Sequence, residues 1–272
     1  MSTNTVLTEL GPQFDVSKII VSDAKVYDIP NSPLKYQRAY INIENPDGTV
    51  GNLVFPTPRD SFSSGIVPNK NDKEIITGFS LPISLRDRDG ETQEQKNFIT
   101  AIESITEHVR CECKKAKVRK IVKSGTLDSS LIQMNPLKYR LNEEGVVDKK
   151  LGASMYIKLL TKKTEGGVEV ITPLFKKGEF TTDGNPAVYD ITEVVGGYAL
   201  VYGAVRLESV YFGSGRASLQ FKLMDVDIGL LNGSTRQTFT RQKQVRPPLS
   251  VKSVEESNDK NEVLLELSDD EN

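Results

Sequence analysis

The sequence has no tryptophan, one histidine and two cysteines. A lone histidine cannot build a metal site or a proton relay without partners, and His108 follows Glu107 on the polar side of a predicted helix, where it reads as a surface side chain. Cys111 and Cys113 form a Cys-x-Cys at the end of that helix. Without a second pair they make neither a zinc ribbon nor a disulfide framework, so they read as ordinary, partly buried thiols of a reducing compartment. No run of about 18 apolar residues occurs, which excludes a membrane-spanning helix. The first residues offer neither a basic nor an apolar signal region, so secretion is not expected. A phosphate-binding Gly-x-x-x-x-Gly-Lys-Ser/Thr loop is absent too. Gly213-Ser-Gly215 is only a turn, and Asp87-Arg88-Asp89 reads as a solvated strand-to-helix loop. The residues therefore point to no catalytic group, no metal ligand and no cofactor, and a non-enzymatic role is expected.

An excess of charge is also missing. Thirty-five Lys and Arg face thirty-seven Asp and Glu, a net charge of −2, which taken as an average argues against a polyanionic partner. The distribution reverses that. Residues 249–272, after Pro247-Pro248, hold eight acids (Glu255, Glu256, Asp259, Glu262, Glu266, Asp269, Asp270 and Glu271) against Lys252 and Lys260. This segment carries −6 and leaves +4 on residues 1–248. It has no aromatic residue and too little apolar surface to offset its ordering entropy, so it reads as a disordered acidic tail. Residues 1–248 read as one elaborated domain. At the opposite pole, residues 110–123 hold seven bases against Glu112, a local +6.

One helix is signalled strongly. Thr92 and Gln95 make a capping box, and Phe98, Ile99, Ile102, Ile105 and Val109 recur at helical spacing over residues 92–113. Almost everything else alternates as strand: 18–27, 38–44, 50–55, 79–85, 117–122, 154–161, 168–175, 198–212 and 217–228. Pro46-Asp47-Gly48, Glu165-Gly166-Gly167 and Gly213-Ser-Gly215 mark hairpins. Long connections are expected at 56–77, 123–152 and 176–190. Many antiparallel strands around one central helix predict a mainly β (α+β) fold, an OB-like antiparallel barrel with long loops. A jelly-roll sandwich is the competing architecture.

The aromatic residues stand beside bases. Lys35-Tyr36-Gln37-Arg38-Ala39-Tyr40 interleaves the two, as do Lys138-Tyr139-Arg140, Tyr156-Ile157-Lys158 and the stretch from Tyr211 to Arg216; Arg59 lies in a Pro-pinned loop between Phe55 and Phe62. Cations that track phosphates and rings that accept stacked bases are what sequence-independent single-strand binding requires. A candidate groove follows, formed by Lys35, Tyr36, Arg38, Tyr40, Arg59, Lys114, Lys115, Lys117, Arg119, Lys120, Lys138, Tyr139, Arg140, Tyr156, Lys158, Tyr211 and Arg216. Strand packing is the competing explanation for any single ring among them.

Residues 53–66, an apolar strand running into a Pro-rich loop and Ser-Gly, resemble a segment of a protein family of nucleocytoplasmic large DNA viruses. Residues 79–85 with the helix-opening stretch 89–95, and residues 204–213 with the alternating strand that ends near Ile228, are similar to further parts of it. The asfarvirus member of that family is regarded as a single-stranded DNA-binding protein with an OB-type core. The resemblance spans about residues 15–230. It implies single-stranded DNA as the partner, a role in viral replication, repair or recombination, and an intracellular viral factory as the location. It assigns no individual DNA-contacting residue.

Two other classes remain open: a β-rich virion structural protein, and a scaffold that binds a basic partner through its tail. In a basic-groove protein the tail competes with DNA and also offers replication proteins a docking segment. Deleting residues 249–272 is therefore expected to tighten DNA binding in a titration at fixed salt, whereas the scaffold class predicts loss of a partner instead.

Overall fold

The computed structural model describes residues 5–29, 35–115, 131–132, 134–142, 144–213 and 215–231. The acidic tail and the predicted strand 117–122 lie outside the described residues.

The helix forms where the capping box places it. Gln93–Cys113 (α1) starts after Thr92, which is extended at φ −68° and ψ 165°. Thr92 Oγ1 accepts from Gln95 N at 3.2 Å, and Gln95 Oε1 accepts from Thr92 N at 2.9 Å. Both contacts satisfy backbone donors that the first helical turn leaves open. Gln95 can be buried because its Nε2 also donates to Asp87 Oδ1 at 3.0 Å. Phe98, Ala101, Ile102, Ile105, Val109 and Cys113 form the buried stripe.

The strands follow in chain order. Ile19–Val21 (β1), Lys25–Asp28 (β2), Lys35–Glu44 (β3), Val50–Pro56 (β4), Ser61–Ser63 (β5), Val67–Lys70 (β6) and Ile76–Ser84 (β7) precede α1. After it come Leu137–Tyr139 (β8), Ala153–Leu159 (β9), Thr161–Thr164 (β10), Gly167–Val170 (β11), Leu174–Phe180 (β12) and Pro186–Val188 (β13). A four-residue helix, Ile191–Val194 (α2), then leads to the long strands Ala199–Gly213 (β14) and Arg216–Leu230 (β15). The hairpin signals at Gly48, Gly167 and Gly215 all fall at turns, and at each the glycine adopts a positive φ.

Thirteen of these strands form one sheet whose main path runs β1-β3-β4-β14-β15-β9-β7-β6; β10 and β11 pair separately. The path ends at β1 and β6 without joining them, so the sheet is not closed into a barrel. Nor is it purely antiparallel, because β15 pairs in parallel with β9 and with β12. The expected OB-like antiparallel barrel is thus replaced by a large open, mixed sheet. The physical reason lies in the β14–β15 hairpin. One edge of β14 is shared end to end by β5, β4 and β3, which pair with 199–201, 204–207 and 209–212. An edge occupied by three partners in succession extends the sheet sideways, and the two ends of the path stay apart.

The additional elements sit in stretches expected to be connections: β5 and β6 in 56–77, β8 in 123–152, β13 in 176–190. Each is three or four residues long, too short for an alternation signal, and each forms by pairing on an edge already present. α2 starts on a capping box of its own, Asp190 with Glu193, and runs for only one turn.

The core lies between one face of the sheet and α1. Phe55 on β4 meets Phe98 of α1 edge-on at 5.9 Å and Phe221 on β15 at 6.4 Å. Buried Ala39, Ile41, Leu81, Ile83, Ile157, Val205, Leu207 and Leu223 complete the same face. Among the described residues no helix is long and apolar enough to cross a membrane.

Because Phe98 is buried and wedged against Phe55, Phe98→Ala is expected to cost about 3–5 kcal/mol of folding stability. Thr92→Ala removes one half of the capping box and should cost about 1 kcal/mol. Urea unfolding followed by circular dichroism measures both.

Candidate nucleic-acid interface

Side chains alternate across a strand, so the face turned away from α1 is fixed by the register of the core face. Its composition is polar. Across β2, β3, β14 and β15 one row reads Lys25, Arg38, Tyr211, Ser218, each directly opposite the next. Two residues along the strands toward the hairpin tip, Tyr27 lies opposite Tyr36. Two residues the other way, Tyr40 lies opposite Ser209, and Ser209 opposite Gln220.

The tyrosines form a column. The rings of Tyr27 and Tyr36 are stacked with centroids 5.2 Å apart, and those of Tyr36 and Tyr211 at 5.3 Å. Tyr27 and Tyr40 join through their hydroxyls at 3.0 Å. Gly213 makes room for the end of the column: a Cβ there would fall 2.4 Å from Tyr211 Oη. Arg38 lies under the stack, with its guanidinium carbon 5.9 Å from the Tyr36 centroid. It is 1% exposed and pairs with Glu208 at 3.2 Å. Glu208 is the residue skipped in the β14 register between Leu207 and Ser209, so a bulge delivers the carboxylate that a buried guanidinium needs.

Beyond Gln220 the face becomes cationic. Arg206 of β14 lies opposite Lys222 of β15, and Lys222 opposite Lys158 of β9. Ser80 of β7 continues the row. The row sets three cationic side chains side by side across three strands. Next to Lys158 on the same face of β9 stands Tyr156, opposite Pro82 and 53% exposed. The face thus joins a stacked aromatic column to a cationic row, with a second, open ring beside the row.

The family model described as "Protein of unknown function (DUF2738)" matches residues 13–272. The chain belongs to this family. It is also 30% identical over 156 residues to the "Early 31 kDa protein" of frog virus 3 (isolate Goorha), a large DNA virus. That alignment covers 57% of this chain and 55% of the relative, so the chain spans little more than half the length of the protein it matches.

In this DUF2738 member the sequence-predicted groove residues divide. Tyr36, Arg38, Tyr40, Tyr211, Tyr156 and Lys158 share the polar face, with Arg216 opposite Gly213 at the hairpin tip and Lys138 opposite Ser154 on β8. Lys35 alternates to the other side and pairs with Asp28 at 2.8 Å. Arg59 lies on the helix side, where its backbone N–H donates to Glu94 Oε1 at 3.1 Å and its guanidinium stands 5.9 Å from the Tyr202 ring. It lines a cavity of about 420 Å³ with Phe98 and Asn97. Tyr139 also turns to the helix: its hydroxyl donates to Glu103 Oε1 at 3.3 Å. Burial, reinforced by the Glu103 carboxylate, pushes that phenol up to about 12. Lys114 and Lys115 end α1, with Lys115 paired to Glu112, and Arg140 is exposed past the end of β8. Lys35, Arg59, Tyr139, Lys114 and Lys115 therefore do not join the polar face. Lys117, Arg119 and Lys120 lie outside the described residues. Lys25, Tyr27, Arg206 and Lys222 are members that sequence reasoning missed. Each is an isolated base or ring on an alternating strand, visible once the apolar positions are assigned inward.

His108 is not the free surface side chain expected. Its Nε2 stands 3.3 Å from the Ile19 carbonyl and 4.0 Å from Glu112 Oε1, in the seam between α1 and β1. Among the described residues no group of three or more His, Cys, Asp or Glu could hold a metal ion. Cys111 is exposed and Cys113 buried. Burial pushes the Cys113 thiol up to about 12, so it carries no thiolate near neutral pH. Iodoacetamide at pH 8 should therefore label Cys111 in the folded protein and reach Cys113 only after denaturation, as peptide mass mapping will show.

Proposed function

We propose that this chain is a non-catalytic single-stranded DNA-binding protein that serves the replication, repair or recombination of a large DNA virus genome. The observation that carries the proposal is the polar sheet face, where a tyrosine column adjoins the Arg206, Lys222 and Lys158 row. A single strand needs cations spaced along its phosphates and flat rings for its unpaired bases, with roughly 1–3 kcal/mol from each stacked base. Barrel closure is not required for this. An open, twisted sheet presents the same alternation of rings and cations as the OB-type core that the sequence resemblance implies. The name of the frog virus 3 relative contains the word "early", and early synthesis is the timing that replication demands of a strand-coating protein.

In this reading the rings divide the work. Tyr36 has both faces covered, by Tyr27 and by Tyr211, so it organises the column and takes no base itself. Bases extend the column from its ends and stack on the exposed ring of Tyr156. Phosphates lie along the cationic row.

Fluorescence anisotropy with a labelled oligo-dT should show binding at low salt. With about four phosphates neutralised, log K should fall against log salt with a slope of about −3. Tyr156→Ala should weaken binding by about 5-fold or more, with unchanged circular dichroism, the equivalent of one lost stack. Absence of binding at low salt, or full affinity in Tyr156→Ala, would refute this assignment of function or of that ring.

A further inference from the structure

The floor of the polar face holds hydrogen-bonding atoms that the fold does not use. Ser209 Oγ, Gln220 Oε1 and Arg206 Nε are shielded from solvent and have no hydrogen-bond partner among the described residues. Ser209 is 0% and Gln220 5% exposed. The three are neighbours by register. Ser209 lies directly opposite Gln220, and Arg206 lies opposite Lys222, two residues along β15 from Gln220. Such positions are about 7–8 Å apart or closer, within the reach of one small planar group.

Their chemistry is specific. Gln220 Nε2 donates to Ser218 Oγ at 2.8 Å, which leaves Oε1 as the acceptor. Arg206 Nε can only donate, and the Ser209 hydroxyl is available to donate. The three atoms thus offer two donors and one acceptor. Buried polar atoms are almost always paired in folded proteins, and apolar side chains of the same shape would serve the fold better here. A phosphate is a poor match, because its oxygens would meet the Gln220 carbonyl oxygen. The edge of an unpaired base offers both kinds of group. The pairing edges of thymine (O2, N3–H, O4) and of cytosine (N4–H, N3, O2) each present two acceptors and one donor. Adenine presents one of each, and guanine presents two donors and one acceptor.

We propose that Ser209, Gln220 and Arg206 read the edge of a pyrimidine base laid into the polar face, between the tyrosine column and the Lys158–Lys222 pair. The half-buried side chain of Lys222, two residues along β15 from Gln220 on the same face, swings aside as the base enters, and the tyrosine column keeps its stacking. This proposal rests on the single-stranded DNA assignment and adds a base preference to it.

The test uses the full chain and labelled oligo-dT, oligo-dC, oligo-dA and an abasic strand, all of one length, in anisotropy titrations at fixed salt. The wild-type protein should bind the two pyrimidine strands about tenfold or more tighter than oligo-dA, the size of one buried hydrogen bond made or missed. Ser209→Ala and Gln220→Leu should each shrink that gap to about twofold or less, hold the affinity for oligo-dA, and melt no lower than wild type. Should Gln220→Leu fail to fold, Ser209→Ala removes a single atom and decides the matter. A wild-type protein indifferent to base, a preference that survives both variants, or an equal loss for every strand would overturn the pyrimidine reader while single-strand binding stands. Failure of the wild-type protein to bind any strand at low salt would overturn the DNA assignment itself.

Discussion

The registered pairing of β14 with β15 is the constraint on which the remaining structure depends. Fifteen residues of each strand run side by side, so one choice of register fixes the face of some thirty side chains. Val205, Leu207, Val210 and Phe212 on one strand, and Ala217, Leu219, Phe221 and Leu223 on the other, go into the core. A slip of one residue would exchange that set for Arg206, Tyr211, Gln220 and Lys222. Burying those would cost far more than any local propensity could return, and so the hydrophobic core specifies the polar face as firmly as it specifies itself.

The bulge at Glu208 gives this hairpin a second function. Upstream of it the polar face is carried by even-numbered positions such as Arg206, downstream by the odd-numbered Ser209 and Tyr211. Without the additional residue, the cation and the aromatic column would stand on opposite sides of the sheet. The same insertion brings the Glu208 carboxylate to the buried Arg38 guanidinium under the tyrosines. One irregular residue therefore aligns the two halves of the candidate site and neutralises its most deeply buried cation.

Local rules made much of this legible from the sequence. The Thr92–Gln95 box and the Phe98–Ile102–Ile105–Val109 stripe locate α1 because a helix terminus and an apolar stripe are properties of adjacent residues. The β3–β4 and β14–β15 hairpins are legible for the same reason. What could not be read depends on partners distant in the chain. Barrel or open sheet is decided by which strands share the edge of β14, and β5, β8 and β13 exist only because an edge awaited them. The site divided along the same line. Tyr36, Arg38 and Tyr40 sit on one strand with the core residues Ala39 and Ile41 between and beside them, so their grouping follows from alternation. Tyr139 and Arg59 have equally suitable neighbours in sequence, yet Glu103 and Glu94 of α1 hold them on the helix side. Adjacency to a base marks a ring as interesting but leaves its direction undetermined.

The tyrosine column also has an optical consequence. The chain has no tryptophan, so tyrosine is its principal emitting side chain, and three of the nine tyrosines are stacked at centroid spacings of 5.2 and 5.3 Å. Rings this close are optically coupled, so a base stacked on one end of the column alters the emission of the group. The protein thereby carries an intrinsic reporter on the face of the sheet where its ligand is proposed to lie, with no indole emission to mask the signal.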